Sequence, residues 1–305
     1  MRTRAIGSSE LVVPVVGLGC NNFGWRLDGA ASKLVVDAAI DAGVTFFDTA
    51  EMYGDGASEE FIGRALGGRR DQVVIATKFG WGNGSGDTSL APGSPAQVRV
   101  AIEGSLRRLG TDHVDLYQYH RPDGITPIAE TLGAMSELVD EGKVRFIGSS
   151  NMSAAQLREA DAAARGLGLA RFVSVQNEYS WLVRDVEDEV VPAAEELGLG
   201  LIPYFPLARG LLTGKYRRDA AVPEGTRLSG NLNVDDATWR RIEALAAFAA
   251  ERGVTLLDVA IGGLAAQPAV ASVIAGATTP EQVRANAAAG AWEPTADDLA
   301  TLRSI

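Results

Sequence analysis

The chain has 305 residues, 46% hydrophobic and 22% charged, with a formal net charge of −11 and a mean hydropathy of +0.04. That is the balance of a globular protein, and without a basic excess to release counterions it excludes non-specific nucleic-acid binding. A single cysteine, Cys20, excludes an intramolecular disulfide framework, and no apolar run nears the ~18 residues that span a bilayer.

In chain order, "TRAIGSSELVV" predicts a β-hairpin turning at Ser8 and Ser9 and plugging the bottom of the barrel that the later strands build. "VPVVGLG" then reads as a buried strand, and "SKLVVDAAIDAG" as an amphipathic helix stopped by Gly43. The alternation repeats. "VTFFD", "QVVIATK", "HVDLYQYH", "VRFIGSS", "RFVSVQ", "LGLIPYFP" and "ASVIAG" are short apolar runs, each followed by a stretch with apolar residues at helical spacing. The helix "SPAQVRVAIEGSLRRLG" opens with Ser94 as N-cap and Pro95 in its first turn. Near-continuous apolar strands covered by amphipathic helices mean a parallel sheet buried on both faces. Eight such units in a chain of this length predict a closed (β/α)8 barrel. No low-complexity linker interrupts the pattern, so residues 1–305 are expected to form one domain. The N-terminus lacks the apolar stretch of a signal peptide, and the chain is expected to be cytoplasmic, in a reducing compartment.

In such a barrel the C-terminal ends of the strands line the active face. Three consecutive strands carry polar groups there: Asp48 ends "VTFFD", Lys78 ends "VVIATK" and His120 ends "DLYQYH". Neighbouring strands lie ~4.8 Å apart, so the three converge on one pocket. Tyr53, on the loop just after Asp48, is placed to lean over them. An acid and a lysine pair keep each other ionised despite burial, and an ammonium beside a phenol is expected to lower its pKa. With a neutral imidazole orienting a substrate oxygen, the quartet suits giving a proton to a carbonyl oxygen. Each residue alone also has a packing explanation: a loop cap, a snorkelling lysine, a structural histidine, a packed aromatic. Their conjunction on successive strands is what points to chemistry. Trp25, Phe79 and Trp81, on loops after the first and third strands, are candidates for the wall of an apolar substrate pocket.

The segments "FFDTAEMYG", "IATK", "DLYQYHRPD", "GSSN", "VQNEYS", "PYFPLARGLLTGKY" and "AGATTPEQVRAN" resemble, in that order and across residues 3 to 290, the aldo-keto reductase superfamily. The resemblance implies a (β/α)8 barrel that reduces a small-molecule carbonyl substrate with NADP(H), NAD(H) not being excluded, and without a metal. Its catalytic roles fall on Asp48, Tyr53, Lys78 and His120. It implies further that Ser150, Asn151 and Gln176 hold the nicotinamide carboxamide and that Tyr204 stacks on the ring. Leu207, Gly210 and Leu211 match the loop over the pyrophosphate, and Gly276, Thr278, Gln282 and Asn286 the adenosine half. There Pro280 opens a helix whose N-terminus faces phosphate. Arg209 and Arg284 are the candidate phosphate partners. The chain departs from many relatives at Phe205, where a serine is usual, and at Ala285, where a glutamate is usual. Gly276 stands where some branches carry a phosphate-gripping lysine.

"GLGCNN" lacks the third glycine of a dinucleotide fingerprint and reads as a tight turn. "GWGNGSG", residues 80 to 86, reads as a mobile rim loop. His113 begins its strand at the barrel bottom and cannot meet His120 around a metal. Two other functions stay open: a cofactor-holding, redox-sensing regulatory subunit on the same fold, and an aldolase-type enzyme using Lys78 as a Schiff-base nucleophile.

Overall fold

The computed structural model describes residues 1–81, 90–218, 220–229 and 233–305, so most of the expected rim loop at 80 to 86 lies outside the described residues. The first two strands, β1 (Thr3–Ala5) and β2 (Val12–Pro14), pair antiparallel, Arg4 facing Val13. Ser8 and Ser9 lie in the turn between them, as the sequence predicts. Gly7 begins that turn at φ +56°, and a Cβ there would sit 2.2 Å from the Gly198 carbonyl oxygen, so only glycine lets the hairpin close on the barrel.

Eight parallel strands follow: β3 (Val16–Gly19), β4 (Phe46–Asp48), β5 (Val74–Phe79), β6 (Val114–Tyr119), β7 (Val144–Ser150), β8 (Phe172–Gln176), β9 (Gly200–Leu201) and β10 (Val273–Gly276). They pair in chain order, with β10 returning to β3. Between β9 and β10 the seam is drawn together by Leu201 N–H to Ala269 O (2.7 Å), Ala271 N–H to Leu201 O (2.8 Å) and Ile274 N–H to Pro203 O (3.3 Å). The fold is a (β/α)8 barrel. No helix of the described residues is long and apolar enough to cross a membrane.

The helices between the strands begin and end where local chemistry dictates. In α1 (Gly29–Asp41) the Asp28 carboxylate accepts the Ala31 N–H at 2.8 Å, and Gly43 turns the chain two residues past the end at φ +73°. In α3 (Pro95–Leu109) Ser94 caps the helix and Pro95 opens it. In α5 (Ala154–Leu167) Ser153 and Gln156 form a reciprocal capping box. The remaining helices are α2 (Ala57–Leu66), α4 (Ile128–Asp140), α6 (Val190–Leu197), α7 (Asp236–Glu251), α8 (Leu256–Asp258, continued by a π-turn over Val259–Gly263), α9 (Pro280–Ala289) and α10 (Ala296–Ser304).

Two buried layers matter for the site. The outer one lies between strands and helices. The inner one fills the barrel: Phe46, Ala76, Leu116 and Ile202 meet Ile6, Leu11 and Val13 of the hairpin, which closes the bottom. Side chains alternate along a strand. One step above Phe46, Ala76 and Leu116 on the same inward face therefore come Asp48, Lys78 and Gln118, and β8 adds Gln176 at that height. The lower barrel is apolar and the next layer is polar.

Candidate active site

Asp48 is the hub of the polar layer. Its Oδ1 accepts from Lys78 Nζ at 2.5 Å, and its Oδ2 accepts from Gln118 Nε2 at 3.0 Å and Gln176 Nε2 at 2.8 Å. Lys78 is fully buried and gives its other protons to the Thr49 carbonyl (2.8 Å) and the Tyr53 hydroxyl (3.4 Å). A buried ion pair is tolerated when its remaining hydrogen-bonding capacity is filled in this way. Burial alone would lower the Lys78 pKa, but Asp48 and then Tyr53 outweigh it and the net direction is upward.

Tyr53 departs from the sequence-based expectation. Burial pushes its hydroxyl up, and the Lys78 ammonium offsets only part of that, so the pKa lies above the ordinary phenol value. Burial dominates, and the offset is partial because Lys78 sits 2.5 Å from the carboxylate but 3.4 Å from the phenol, while the Asp48 charge itself adds to the rise. His120 faces Tyr53 edge-on at 6.1 Å between ring centroids and lies 4.7 Å from Trp81. Burial, then Lys78, pulls its pKa down to about 2, so the imidazole is neutral at any physiological pH. Its Nδ1 is sealed without a partner among the described residues, and the ring lines the cavity.

These groups form one wall of a cavity of 590 Å3. Asp48, Tyr53, His120 and Trp81 line it, while Lys78 stays behind them. Ser150, Asn151, Gln176 and Tyr204 line its middle. The Tyr204 hydroxyl donates to Asn151 Oδ1 at 2.9 Å, and Asn151 Nδ2 donates to the Ser150 hydroxyl and the His120 carbonyl, both at 3.0 Å. At the far end come Leu207, Arg209, Gly210, Gly276, Thr278, Gln282 and Asn286. Strain gathers along this wall. Asn151, Phe205 and Arg209, which line it, and Ala208 next to Arg209 in the chain all hold positive φ, a costly backbone for residues with side chains and one that clusters at functional sites.

Other candidates lie elsewhere. Phe79 is fully buried, stacked on Tyr119 at 5.1 Å and Tyr117 at 4.8 Å, because the residue after inward-facing Lys78 must face outward. It belongs to the outer core and not to the cavity wall. Trp25 is 63% exposed on the rim between the guanidinium groups of Arg26 and Arg227, at 5.9 and 5.5 Å, and it does not line the cavity. Leu211 packs toward the cluster of Trp239, Leu245 and Phe248. Arg284 pairs with Glu281 on the surface, and the α9 N-terminus is capped by Thr279.

Several lining or supporting residues escaped the sequence reading. Gln118 carried a usable signal, since it lies two residues before His120 and shares its face. Arg26, Arg227 and Lys215 line the cavity from loops that have no periodicity. Burial, then Arg209 and Arg26, lowers the Arg227 pKa, so three guanidinium groups crowd one end, with Glu224 the one acidic residue among the described lining there. A polyanion placed there would relieve that repulsion. The hydroxyl and amide groups of the middle, which bond to one another in the free protein, and the Tyr204 ring suit an aromatic carboxamide that exchanges for those bonds. Together these features fit a nicotinamide dinucleotide.

A barrel with its polar groups on the C-terminal face, a carboxylate–lysine–phenol chain and a long adjoining cavity defines a class of barrel oxidoreductase. The chain belongs to the aldo/keto reductase family, whose family model matches residues 15–305. It is 39% identical over 299 residues to a probable voltage-gated potassium channel subunit beta of Oryza sativa subsp. japonica, covering 94% of this chain and 90% of that protein. A protein of the same description from Arabidopsis thaliana matches equally, at 39% over 299 residues with the same coverage. The uncharacterized oxidoreductase YrpG of Bacillus subtilis (strain 168) is 38% identical over 289 residues, covering 92% of this chain and 88% of that one.

Proposed function

We propose that this protein reduces aldehydes or ketones to alcohols with NADPH, Tyr53 giving the proton to the carbonyl oxygen. The observation that carries the proposal is the chain from Asp48 through Lys78 to the Tyr53 hydroxyl, which ends in a cavity beside a neutral histidine.

When bound, the coenzyme supplies the hydride to the carbonyl carbon. The protein's own residues prepare the oxygen. His120, uncharged, donates one hydrogen bond and fixes the direction from which the oxygen is approached. Tyr53, a phenol whose ordinary pKa of about 10 is raised further by burial, is protonated at neutral pH and arrives with the proton to be given. As negative charge develops on the oxygen, Lys78 stabilises the phenolate left behind, and Asp48 holds Lys78 in place. Ser150 and Asn151 serve the carboxamide and Tyr204 the ring face, so that orientation supplies much of the rate. Gln176 spends its amide nitrogen on Asp48 and Gln118, which leaves its side-chain carbonyl as the end for the carboxamide. Arg209, Arg227 and Arg26 are the cations at hand for the phosphates.

Lys78 argues against the Schiff-base reading. A lysine that attacks carbonyls needs a lowered pKa and a free amine, whereas Lys78 has a raised pKa and three hydrogen-bond partners. A second reading, a coenzyme-holding subunit of a larger assembly, is supported by the descriptions of the two plant relatives. Turnover on a panel of aldehydes and ketones, with NADPH and NADH each titrated by fluorescence, separates the two. Steady turnover that Tyr53→Phe abolishes supports the reductase. Tight coenzyme binding with no turnover supports the subunit.

A further inference from the structure

Three residues after Asp48 stands a second acid, Glu51, which the proton chain does not use. It is 1% exposed. Its Oε1 accepts the Gly80 N–H at 3.1 Å, and its Oε2 is sealed without a partner among the described residues. The groups around it do not neutralise it. Glu59 of α2 is itself acidic and is engaged by Thr77 at 2.5 Å and Arg108 at 2.7 Å, so the Arg108 charge is already answered. Tyr117 of β6 turns its hydroxyl to the Val98 carbonyl, and Lys78 of β5 points at Asp48. Burial pushes Glu51 up to about 6; the Gly80 N–H opposes this, Glu59 adds to it and Arg108 opposes it. A buried carboxylate with one donor is something packing alone would replace by a neutral side chain.

Its position shows what the acid does. The chain after β4 keeps pairing with β5 at two-residue steps, Thr49 N–H to Ala76 O (2.9 Å) and Glu51 N–H to Lys78 O (3.1 Å). Gly80 comes next, one residue past the end of β5, and its N–H goes to the Glu51 carboxylate. Gly80 is a fixed corner, with φ at +84° and a Cβ that would lie 2.7 Å from the Tyr119 ring. The residue it delivers is Trp81, whose ring lies 4.7 Å from His120 with the Arg121 guanidinium 5.7 Å over its face. One side-chain acceptor therefore pins the corner that sets the aromatic wall beside the proposed proton donor.

We propose that Glu51 is a positioning residue: its carboxylate clamps Gly80, holds Trp81 against His120, and thereby favours flat aromatic carbonyl substrates over small aliphatic ones. The preference for aromatic substrates rests on the reductase reading; the clamp on Trp81 does not.

The test uses the full chain with Glu51→Gln, Glu51→Ala and Trp81→Phe. Trp81 emission, taken as the difference from Trp81→Phe, is followed from pH 5 to pH 8 without substrate. KM and kcat are measured for an aromatic and a short aliphatic aldehyde. Wild-type Trp81 emission is expected to titrate with a midpoint near 6, to be pH-independent in Glu51→Gln, and to be displaced at every pH in Glu51→Ala. In Glu51→Ala, KM for the aromatic aldehyde should rise about five- to tenfold more than for the aliphatic one, and Glu51→Gln should restore most of it. Trp81 emission that ignores both substitutions overturns the clamp, and equal KM changes for both aldehydes overturn the specificity role. Should Glu51→Ala fail to fold, Glu51→Gln alone still decides through the pH profile. A wild type that turns over no carbonyl while its Trp81 signal titrates would sink the reductase reading and leave the clamp standing.

Discussion

The two ends of the cavity are built on opposite terms. At the proton-transfer end, Asp48, Lys78, Gln118 and Gln176 stand on strands and fill one another's hydrogen-bonding capacity. At the far end, Arg26, Arg209 and Arg227 stand on loops, crowd one another and have aromatic rings for company. The first end is finished when the chain folds, so no reorganisation is left for the reaction. The second is finished only when an anion arrives. A fixed floor for chemistry beside an electrostatically incomplete mouth for the coenzyme is a division of labour that substitutions can test.

The largest effects belong to the finished end. Tyr53→Phe removes the transferable proton and keeps the packing, and should lower kcat by roughly 10²- to 10⁴-fold with little change in coenzyme affinity. Steady-state kinetics and NADPH titration check both halves. Lys78→Met should do more, because it leaves Asp48 buried with no cation. Breaking a buried pair from one side costs about 3–5 kcal/mol, so this variant should lose activity and also unfold at markedly lower denaturant concentration. If Lys78→Met proved as stable as wild type, the floor would not be the satisfied network described.

At the incomplete end the expected sign for stability reverses. Arg227→Ala should weaken NADPH binding roughly ten- to hundredfold, the range for one charge-assisted hydrogen bond. It should leave the free protein no less stable, because a repelled charge is removed. The loss should shrink as salt rises. Arg284→Ala, which removes a surface pair with Glu281, should change neither quantity by a measurable amount.

The same contrast decides what the sequence could show. Strand ends are legible because alternation is strict. "FFD", "IATK" and "YQYH" each carry a polar residue to the inward face at the top of an apolar strand. Alternation also contains Gln118, in step with His120, and places Phe79 outward, although its loop-side position drew attention to the pocket instead. Arg26 and Arg227 are legible from no local pattern. They reach the cavity because the loops after β3 and β9 meet above it, where Arg26 donates to the Gly225 carbonyl at 3.0 Å. The direction of the Tyr53 shift was hidden for another reason. It is set first by burial of the hydroxyl, which Lys78 at 3.4 Å only partly offsets, a balance that no spacing in the sequence encodes.

The pH dependence of stability brings the comparison down to two acids three residues apart. Asp48 has three donors, and Glu51 has one. Glu51's folded pKa is raised, from 4.5 to about 6, so the folded state binds its proton more tightly than the unfolded chain does. Its contribution to stability is therefore complete below about 4.5 and is lost as pH rises to about 6, the reverse of an ion-paired carboxylate. At 1.36 kcal/mol per pKa unit the loss is at most about 2 kcal/mol. Glu51→Gln removes the charge but brings an amide N–H to the place where Oε2 lacked a partner, so its net gain at pH 7 should be nearer about 1 kcal/mol. Chemical denaturation at pH 5 and pH 7 measures it. The variant should gain on the wild type between the two, and an equal difference at both pH values would mean that the folded pKa of Glu51 is not raised above its unfolded value. A residue that costs stability when charged and yet fixes Gly80 beside the proposed proton donor trades stability for the geometry of the substrate wall.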